Sequence, residues 1–380
     1  MFFDLTRLVG RYLEYRLPTG IDRVSLAYLG HYRSKAKAFV RVGNRWVFLD
    51  AAGSGKVFDA LLGTRVLSPR SVRWTIAKDY WPRGKGVPSS GLLLNTGHSG
   101  VDESDYAEKA SRLGLKPVFF LHDLIPITHP EFNRPGEAER HRRRLATMVE
   151  AGRGIIVNSV ATKMSVEQYS AEAGWLLPPI VVAPLAPTAL EAPHAPSPLA
   201  EPYFVVLGTI EPRKNHLILL HVWRQLAYAL GAATPKLVIV GQRGWECEQV
   251  IDILERCTTL RDFVLEFPRC SDTELASLLS HARALLFPSF VEGYGLPLVE
   301  AMRLRVPVIA SDLPVFRELA GEAPEYLDPI DGPAWRKTIL DYIPNGSARR
   351  NAQLKRMENL RVPGWEDHFA IVDEFLKGIA

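Results

Sequence analysis

Cysteine is scarce in this chain. Its 380 residues include three, Cys247, Cys257 and Cys270. No pair has C-x-x-C spacing, and an odd number leaves one residue over in any disulfide scheme, so neither a zinc knuckle nor a stapled secreted domain is indicated and a reducing compartment is the expectation. Long apolar runs are also missing: no uninterrupted stretch reaches the roughly 20 residues that span a bilayer. The opening MFFDLTRLVGR loses its apolar character at Asp4 and Arg7, so no signal peptide is expected. The expected location is cytoplasmic, free or at the inner face of a membrane. No strong charge excess exists. A net charge of +4, with 23% charged residues, suits anionic small ligands or anionic lipid and falls short of a nucleic-acid-binding arm. Common phosphate and nucleophile motifs are absent as well. Gly53-Ser54-Gly55-Lys56 is followed by Val57 where a P-loop needs Ser or Thr, Gly97-His98-Ser99-Gly100 lacks the spacing of a nucleophile elbow, and no G-x-G-x-x-G follows the first strand.

What is present describes two domains. At 380 residues the chain is too long for one compact core and fits two domains of ordinary size, and a hydrophobic content of 47% is that of a globular protein. The stretch PLAPTALEAPHAPSPLAEP, from Pro184 to Pro202, is rich in proline and alanine without apolar period, as an extended connector is. We therefore expect domains at 1–184 and 203–362, a linker at 185–202, and a terminal helical segment at 363–380. Before the linker, strands are expected at 39–42, 46–49, 92–95, 117–121, 154–158 and 180–182. After it they are expected at 203–208, 236–241, 263–267, 284–287 and 306–310, separated by helix-length stretches. Such alternation predicts parallel sheets with crossover helices in both halves, and ligands in such sheets bind beyond the carboxyl ends of the strands.

The segment Phe287 to Asp312, FPSFVEGYGLPLVEAMRLRVPVIASD, is the most informative. A short apolar run meets a loop holding Glu292-Gly293-Tyr294-Gly295, and a helix is expected to open at Pro297 with Glu300 in its first turn. The glycines allow close backbone approach, and free amides at a helix start favour an anion. Glu300, in contrast, is an acceptor suited to a ribose diol. Upstream, YFVVLG leads into Thr209-Ile210-Glu211-Pro212-Arg213-Lys214-Asn215, where two adjacent cations at a strand-to-helix turn suit a pyrophosphate.

Glu292 and Glu300, with seven residues between them, resemble the E-x7-E signature of retaining glycosyltransferases of family four, and EGYGLPLVEAM, PVIASDLPVFREL and EPRKN fit the same pattern. The resemblance implies a GT-B fold: α/β, two facing Rossmann-like domains with parallel sheets and a C-terminal crossover helix, here begun by Trp365-Glu366-Asp367-His368-Phe369. It implies that Arg213 and Lys214 hold the donor diphosphate. Glu292 would hold the sugar hydroxyls, Glu300 the ribose, and Gly293, Tyr294, Gly295 and Leu296 would complete the donor loop. His122, in VFFLHDLIPITHP, would meet the sugar from its other side, with His98 and His129 as weaker candidates. Gly20, in PTGIDRV, would meet the phosphate. Some relatives carry an arginine directly after the strand-ending glycine, where this chain has Thr209.

The implied activity is a metal-independent retaining hexosyltransferase with no cofactor, its nucleotide sugar being a substrate. GDP-mannose is the favoured donor, because TGIDRV, HDLIP and EPRKN look most like bacterial mannosyltransferases of surface polysaccharide, and a UDP-sugar is the alternative. The implied acceptor is a glycan or polyprenyl-linked saccharide. An epimerase or glycogen-type phosphorylase would need a different acid-base set or a cofactor lysine, and a non-catalytic scaffold would not need intact phosphate and sugar elements. Arg140 to Arg144, RHRRR, reads as the polar face of an amphipathic helix, turned to solvent or to anionic lipid. Asp102, Glu103 and Asp105 read as a solvated turn.

Overall fold

The computed structural model describes residues 1–16, 18–80, 90–192 and 195–380. Pro193 and His194 of the expected linker lie outside them. The chain divides into two compact units. One comprises Met1–Thr128, Pro135–Leu185 and Trp365–Ala380, and the other comprises His129–Arg134 and Ala186–Gly364. The stretch 186–202 therefore counts with the second unit, and a six-residue excursion of the N-terminal half does too.

The first unit is built on seven strands: β1 (Phe2–Asp4), β2 (Lys37–Val42), β3 (Arg45–Phe48), β4 (Gly91–Asn95), β5 (Leu115–Leu121), β6 (Gly154–Val157) and β7 (Ile180–Val182). Their order is β3-β2-β1-β4-β5-β6-β7. All neighbours are parallel except β2 and β3, which form an antiparallel edge hairpin with Phe39 opposite Phe48. That hairpin corrects the expectation of parallel pairing throughout. β1 had no expected counterpart, because three residues carry no readable alternation, yet Phe2 to Asp4 are buried and lie between β2 and β4.

The second unit has six parallel strands: β8 (Tyr203–Leu207), β9 (Lys236–Val240), β10 (Val264–Phe267), β11 (Leu285–Phe287), β12 (Val308–Ser311) and β13 (Glu325–Leu327), in the order β10-β9-β8-β11-β12-β13. The chain steps outward from β8 to β10, then returns to the other side of β8 with β11. β8 and β11 are therefore the adjacent strands at which the strand order reverses, the switch point beyond whose carboxyl ends open parallel sheets bind ligands. The helix His216–Leu230 buries Leu219, Leu220, Val222, Trp223 and Leu226, the three-and-four spacing of a core-facing stripe, and Trp223 satisfies its indole on Pro235 O at 2.8 Å.

The last helix, Trp365–Ile379, belongs to the first unit. His368 is fully buried between Tyr28 Oη at 2.8 Å and Pro184 O at 3.0 Å, and Tyr32 Oη donates to Asp373 at 2.7 Å. Gly154 of β6 lies where a Cβ would fall 2.6 Å from the Phe375 ring, so glycine is what lets this helix approach the sheet.

The Gly-Ser-Gly-Lys stretch lies inside the helix Ala51–Leu61, behind an Asp50 cap, and forms no phosphate loop. The acids at 102–105 lie in a turn as expected, Glu103 and Asp105 partly exposed, and each is ion-paired: Asp102 with Arg140 at 2.9 Å, Glu103 with the buried Arg41, and Asp105 with Lys109 at 2.6 Å. The basic run lies in the helix Glu137–Ala151 with His141 buried. Arg140 and Arg144 are turned toward Asp102, and Arg142 and Arg143 toward Glu139. No described helix is long and apolar enough to cross a membrane.

Candidate functional site

The turn after β8 and the loop after β11 are stitched together in the second unit. Phe290 N donates to Arg213 O at 2.8 Å. Asn215, in the left-handed region at φ 54°, donates its side-chain amide to Pro288 O at 3.1 Å and Pro329 O at 2.8 Å. Asparagine tolerates that backbone region better than most residues, which suits it to the junction between a turn and the helix it opens. Gly208 takes φ 144°, a backbone region that favours glycine, and an added Cβ there would lie 3.3 Å from Lys214 Cε.

This stitching brings four charged side chains together. Glu292 accepts from Lys214 Nζ at 2.5 Å, from Ser289 Oγ at 2.7 Å and from Arg213 Nη1 at 2.8 Å, and Arg213 Nε reaches Glu211 at 2.6 Å. The side chains of Lys214, Glu292 and Glu211 are 10%, 7% and 4% exposed. Burial alone would raise the Glu292 carboxyl, but Arg213 and Lys214 outweigh it and hold it at about 2. Burial lowers Lys214 against the pull of Glu292, and burial raises Glu211 against the pull of Arg213 and Lys214. Two cations and two carboxylates cancel, so the quartet is a balanced store of charge and not the bare positive cleft that the basic pair alone suggests. Lys214 Nζ also lies 5.0 Å from the Phe287 ring centroid.

The remaining donor-loop residues surround this quartet in sequence. Tyr294 is buried, and Gly295 takes φ 111° as cap of the helix Leu296–Arg303, where a Cβ would fall 2.7 Å from the Phe316 ring. That helix starts at Leu296, one residue before the expected Pro297, and Glu300 is its fifth residue, beyond the first turn. Glu300 accepts from Thr188 Oγ1 at 2.7 Å. Sequence reasoning missed Thr188, since the proline-rich stretch around it read as a bare connector. It missed Ser289 and Glu211 too, although both sit inside the motifs already singled out.

His122 and Gly20 are in the first unit. His122 follows β5 directly, with Nε2 2.9 Å from Thr96 O, and burial pushes its imidazole down to about 4. His98 bonds to Phe120 O at 2.6 Å, and its ring lies 5.3 Å from that of His122. Gly20 is the first residue of the helix Gly20–Tyr32 and not part of a turn before it. Asp22 reaches back to Thr19 N at 2.7 Å and pairs with Arg7 Nε at 2.7 Å. His129, the other weak candidate, belongs to the 129–134 stretch of the second unit. Among the described residues, no group of three or more His, Cys, Asp and Glu side chains is placed to hold a metal ion.

Comparison with known proteins fits this arrangement. Residues 191–350 match the family described as glycosyl transferases group 1. The chain is 29% identical over 273 residues to the serotype-specific mannosyltransferase WbdA of Escherichia coli, covering 67% of this chain and 32% of that protein. It is 28% identical to the O-antigen chain mannosyltransferase B of Escherichia coli, covering 66% of this chain and 68% of the relative. The chain thus spans about a third of the length of WbdA. Among solved structures, the Anabaena protein HepE in complex with UDP and glucose superposes with a TM-score of 0.67 over 99% of both chains at 16% identity. A sucrose-phosphate synthase from Thermosynechococcus elongatus gives 0.66 over 100% of this chain and 98% of its own, also at 16% identity. The fold is GT-B.

Proposed function

We propose that this chain, whose residues 191–350 are a group 1 glycosyltransferase domain, transfers a hexose with retention from a nucleotide-diphosphate sugar, GDP-mannose in first place, to a hydroxyl of a glycan or lipid-linked saccharide in surface polysaccharide synthesis. One observation carries the reading: Arg213, Lys214, Glu292 and Glu211 meet where the turn after β8 is tied to the loop after the adjacent strand β11. Mannosyltransferase relatives support the choice of sugar. In the proposed reaction the bond from the anomeric carbon to the β-phosphate oxygen breaks, and the bond to the acceptor oxygen forms on the same face. The acceptor proton passes to the departing phosphate oxygen. Negative charge grows on that phosphate, and preorganised donors aimed at it supply most of the transition-state stabilisation in a site of this kind.

Arg213 and Lys214 take the diphosphate role. Its arrival repartitions their bonds, freeing Glu292 to accept from sugar hydroxyls, with no metal or cofactor required. Glu300 with Thr188 takes the ribose, and Gly293 to Leu296 supply the donor loop. His122 and Gly20 keep their assigned roles on the strength of the family resemblance alone. Cytoplasmic placement and peripheral contact of the helix Glu137–Ala151 with an anionic membrane complete the proposal, and vesicle flotation tests that contact.

The deciding experiment titrates the purified chain with GDP-mannose, UDP-glucose and UDP-N-acetylglucosamine, following thermal stability and release of free nucleotide. GDP-mannose should raise the melting temperature and yield GDP once an acceptor glycan is added. Stabilisation by a UDP-sugar instead moves the assignment to that donor. Indifference to the whole panel removes the transferase reading in favour of a scaffold.

A further inference from the structure

The N-terminal unit carries a second basic surface, distinct from the helix Glu137–Ala151, whose arginines pair with its own acids and with Asp102. Residues 60–78 hold four cations, Arg65, Arg70, Arg73 and Lys78, and no aspartate or glutamate. All four are exposed, and none has an ion pair or a side-chain hydrogen bond among the described residues. The acids that bracket the stretch are engaged elsewhere. Asp59 pairs with Arg33, and Asp79 accepts from Asp50 N at 3.2 Å.

Two apolar side chains stand among these cations: Val66 is 97% and Trp74 72% exposed. On the helix Pro69–Lys78, Val72 and Ile76 are buried four residues apart and hold it to the unit. Arg70, Arg73, Trp74, Ala77 and Lys78 consequently share the opposite side, the three-and-four spacing of one exposed helical face. The backbone before it is anchored too. Ser68 caps the helix by accepting from Ser71 N at 3.2 Å, and Tyr12 Oη donates to Leu67 O at 2.5 Å.

Unmet cations beside an exposed indole and valine call for a partner that is anionic at its surface and apolar beneath. Nucleic acid supplies phosphates but no layer to take up Val66. An anionic bilayer supplies both, since its headgroups attract Lys and Arg and tryptophan is favoured where headgroups meet acyl chains.

We infer that residues 65–78 form a docking face for an anionic lipid bilayer, with Arg65, Arg70, Arg73 and Lys78 on headgroup phosphates and Trp74 and Val66 at the boundary with the acyl chains. The inference deepens the peripheral membrane contact proposed for the transferase, and it fails separately from sugar transfer.

Flotation of the full chain with vesicles of equal parts phosphatidylglycerol and phosphatidylcholine tests it, with phosphatidylcholine vesicles as reference. The wild type should float with the anionic vesicles, stay behind with the neutral ones and be released as salt is raised. Each cation near such a surface is worth about a fivefold change in partitioning, so Arg70→Gln combined with Arg73→Gln should bind roughly twentyfold more weakly. Trp74→Gln should weaken binding severalfold and remove the part of the tryptophan fluorescence that lipids with brominated chains quench. The three side chains lie in solvent, so the variants should melt as the wild type does, and transfer to a soluble acceptor should stay within about twofold. No binding to anionic vesicles overturns the docking face, as does binding that these variants leave unchanged. Equal binding to neutral vesicles overturns it, and so does binding to soluble polyglutamate or DNA in place of vesicles. Binding lost only in Arg142→Gln combined with Arg143→Gln would put the contact on the helix Glu137–Ala151 and overturn it as well. A chain that floats as expected but transfers no sugar keeps this face and loses the transferase reading.

Discussion

At the scale of single residues, the decisive finding is that the two cations arrive already paired. Lys214 makes its contact with Glu292 inside a buried quartet, so its ammonium is fixed before substrate binds and costs no reorganisation at the chemical step. Lys214→Ala is therefore expected to lower turnover by roughly a hundredfold or more, measured as GDP release at saturating donor; near-normal turnover in a folded variant refutes its role. Glu211 predicts the opposite sign. Its carboxylate balances Arg213, so Glu211→Gln moves the quartet from neutral to a net single positive charge. GDP binding measured calorimetrically should tighten by about tenfold, or 1.4 kcal/mol, more at low ionic strength; unchanged affinity would show that the charge balance does not govern nucleotide binding. The sequence made Arg213, Lys214 and Glu292 legible because each sits in a motif with a distinctive neighbourhood. It did not reveal their mutual pairing, because 77 residues lie between Lys214 and Glu292 and only the return of β11 beside β8 closes that distance.

At the scale of elements, the strands with β-branched runs were readable and the exceptions have physical reasons. β1 and β13 have three residues each, too short to display a period, and take their places from neighbours. The β2–β3 hairpin escaped because an edge strand next to a parallel sheet carries no sign of its direction in composition. Glycine placement separates fold from false motif. At Gly241, after β9, an added Cβ would lie 2.0 Å from Gly208 O, so Gly241→Ala must push the ends of β8 and β9 apart beneath the charged turn. We expect a loss of about 2–3 kcal/mol, seen as a lower melting temperature with weaker nucleotide binding. Gly55, in the helix Ala51–Leu61, has open space around its added Cβ. Gly55→Ala should stabilise by up to about 1 kcal/mol, which a phosphate loop at the same position would not permit. A melting temperature that falls with Gly55→Ala, or holds with Gly241→Ala, contradicts this assignment of the two glycines.

At the scale of the whole molecule, the N-terminal unit gathers groups whose titration sets its pH response. His98, His122, His141 and His368 are all lowered chiefly by burial, His122 and His368 to about 4. A histidine kept neutral by folding contributes stability that is complete above its unfolded value near 6.5 and is lost as the pH falls toward its folded value. Asp4 works the other way. Burial raises its carboxyl to about 6 against the bonds from Thr6 and the charge of Arg41, so its contribution improves as the pH falls from about 6 toward 3.8. For His122, His368 and Asp4 a displacement of this size is worth roughly 3 kcal/mol each, and His98 and His141 move in the same direction as the other two imidazoles, so the imidazoles outweigh the one carboxyl and the unit should lose stability on acidification between pH 6.5 and 4. In the C-terminal unit, among the described residues, His216 is the one fully buried imidazole held far below its ordinary value, and Glu292, held at about 2, begins to withdraw its contribution only below about 4.5. Hydrogen exchange at pH 7, 5.5 and 4.5 should therefore show β4 and β5 losing protection before β8 and β11. Asp4→Asn removes the opposing titration and should steepen the acid response of the N-terminal unit, whatever it does to stability at pH 7. If β8 and β11 open first, or Asp4→Asn leaves the slope unchanged, the buried histidines do not set the order in which the two units fail.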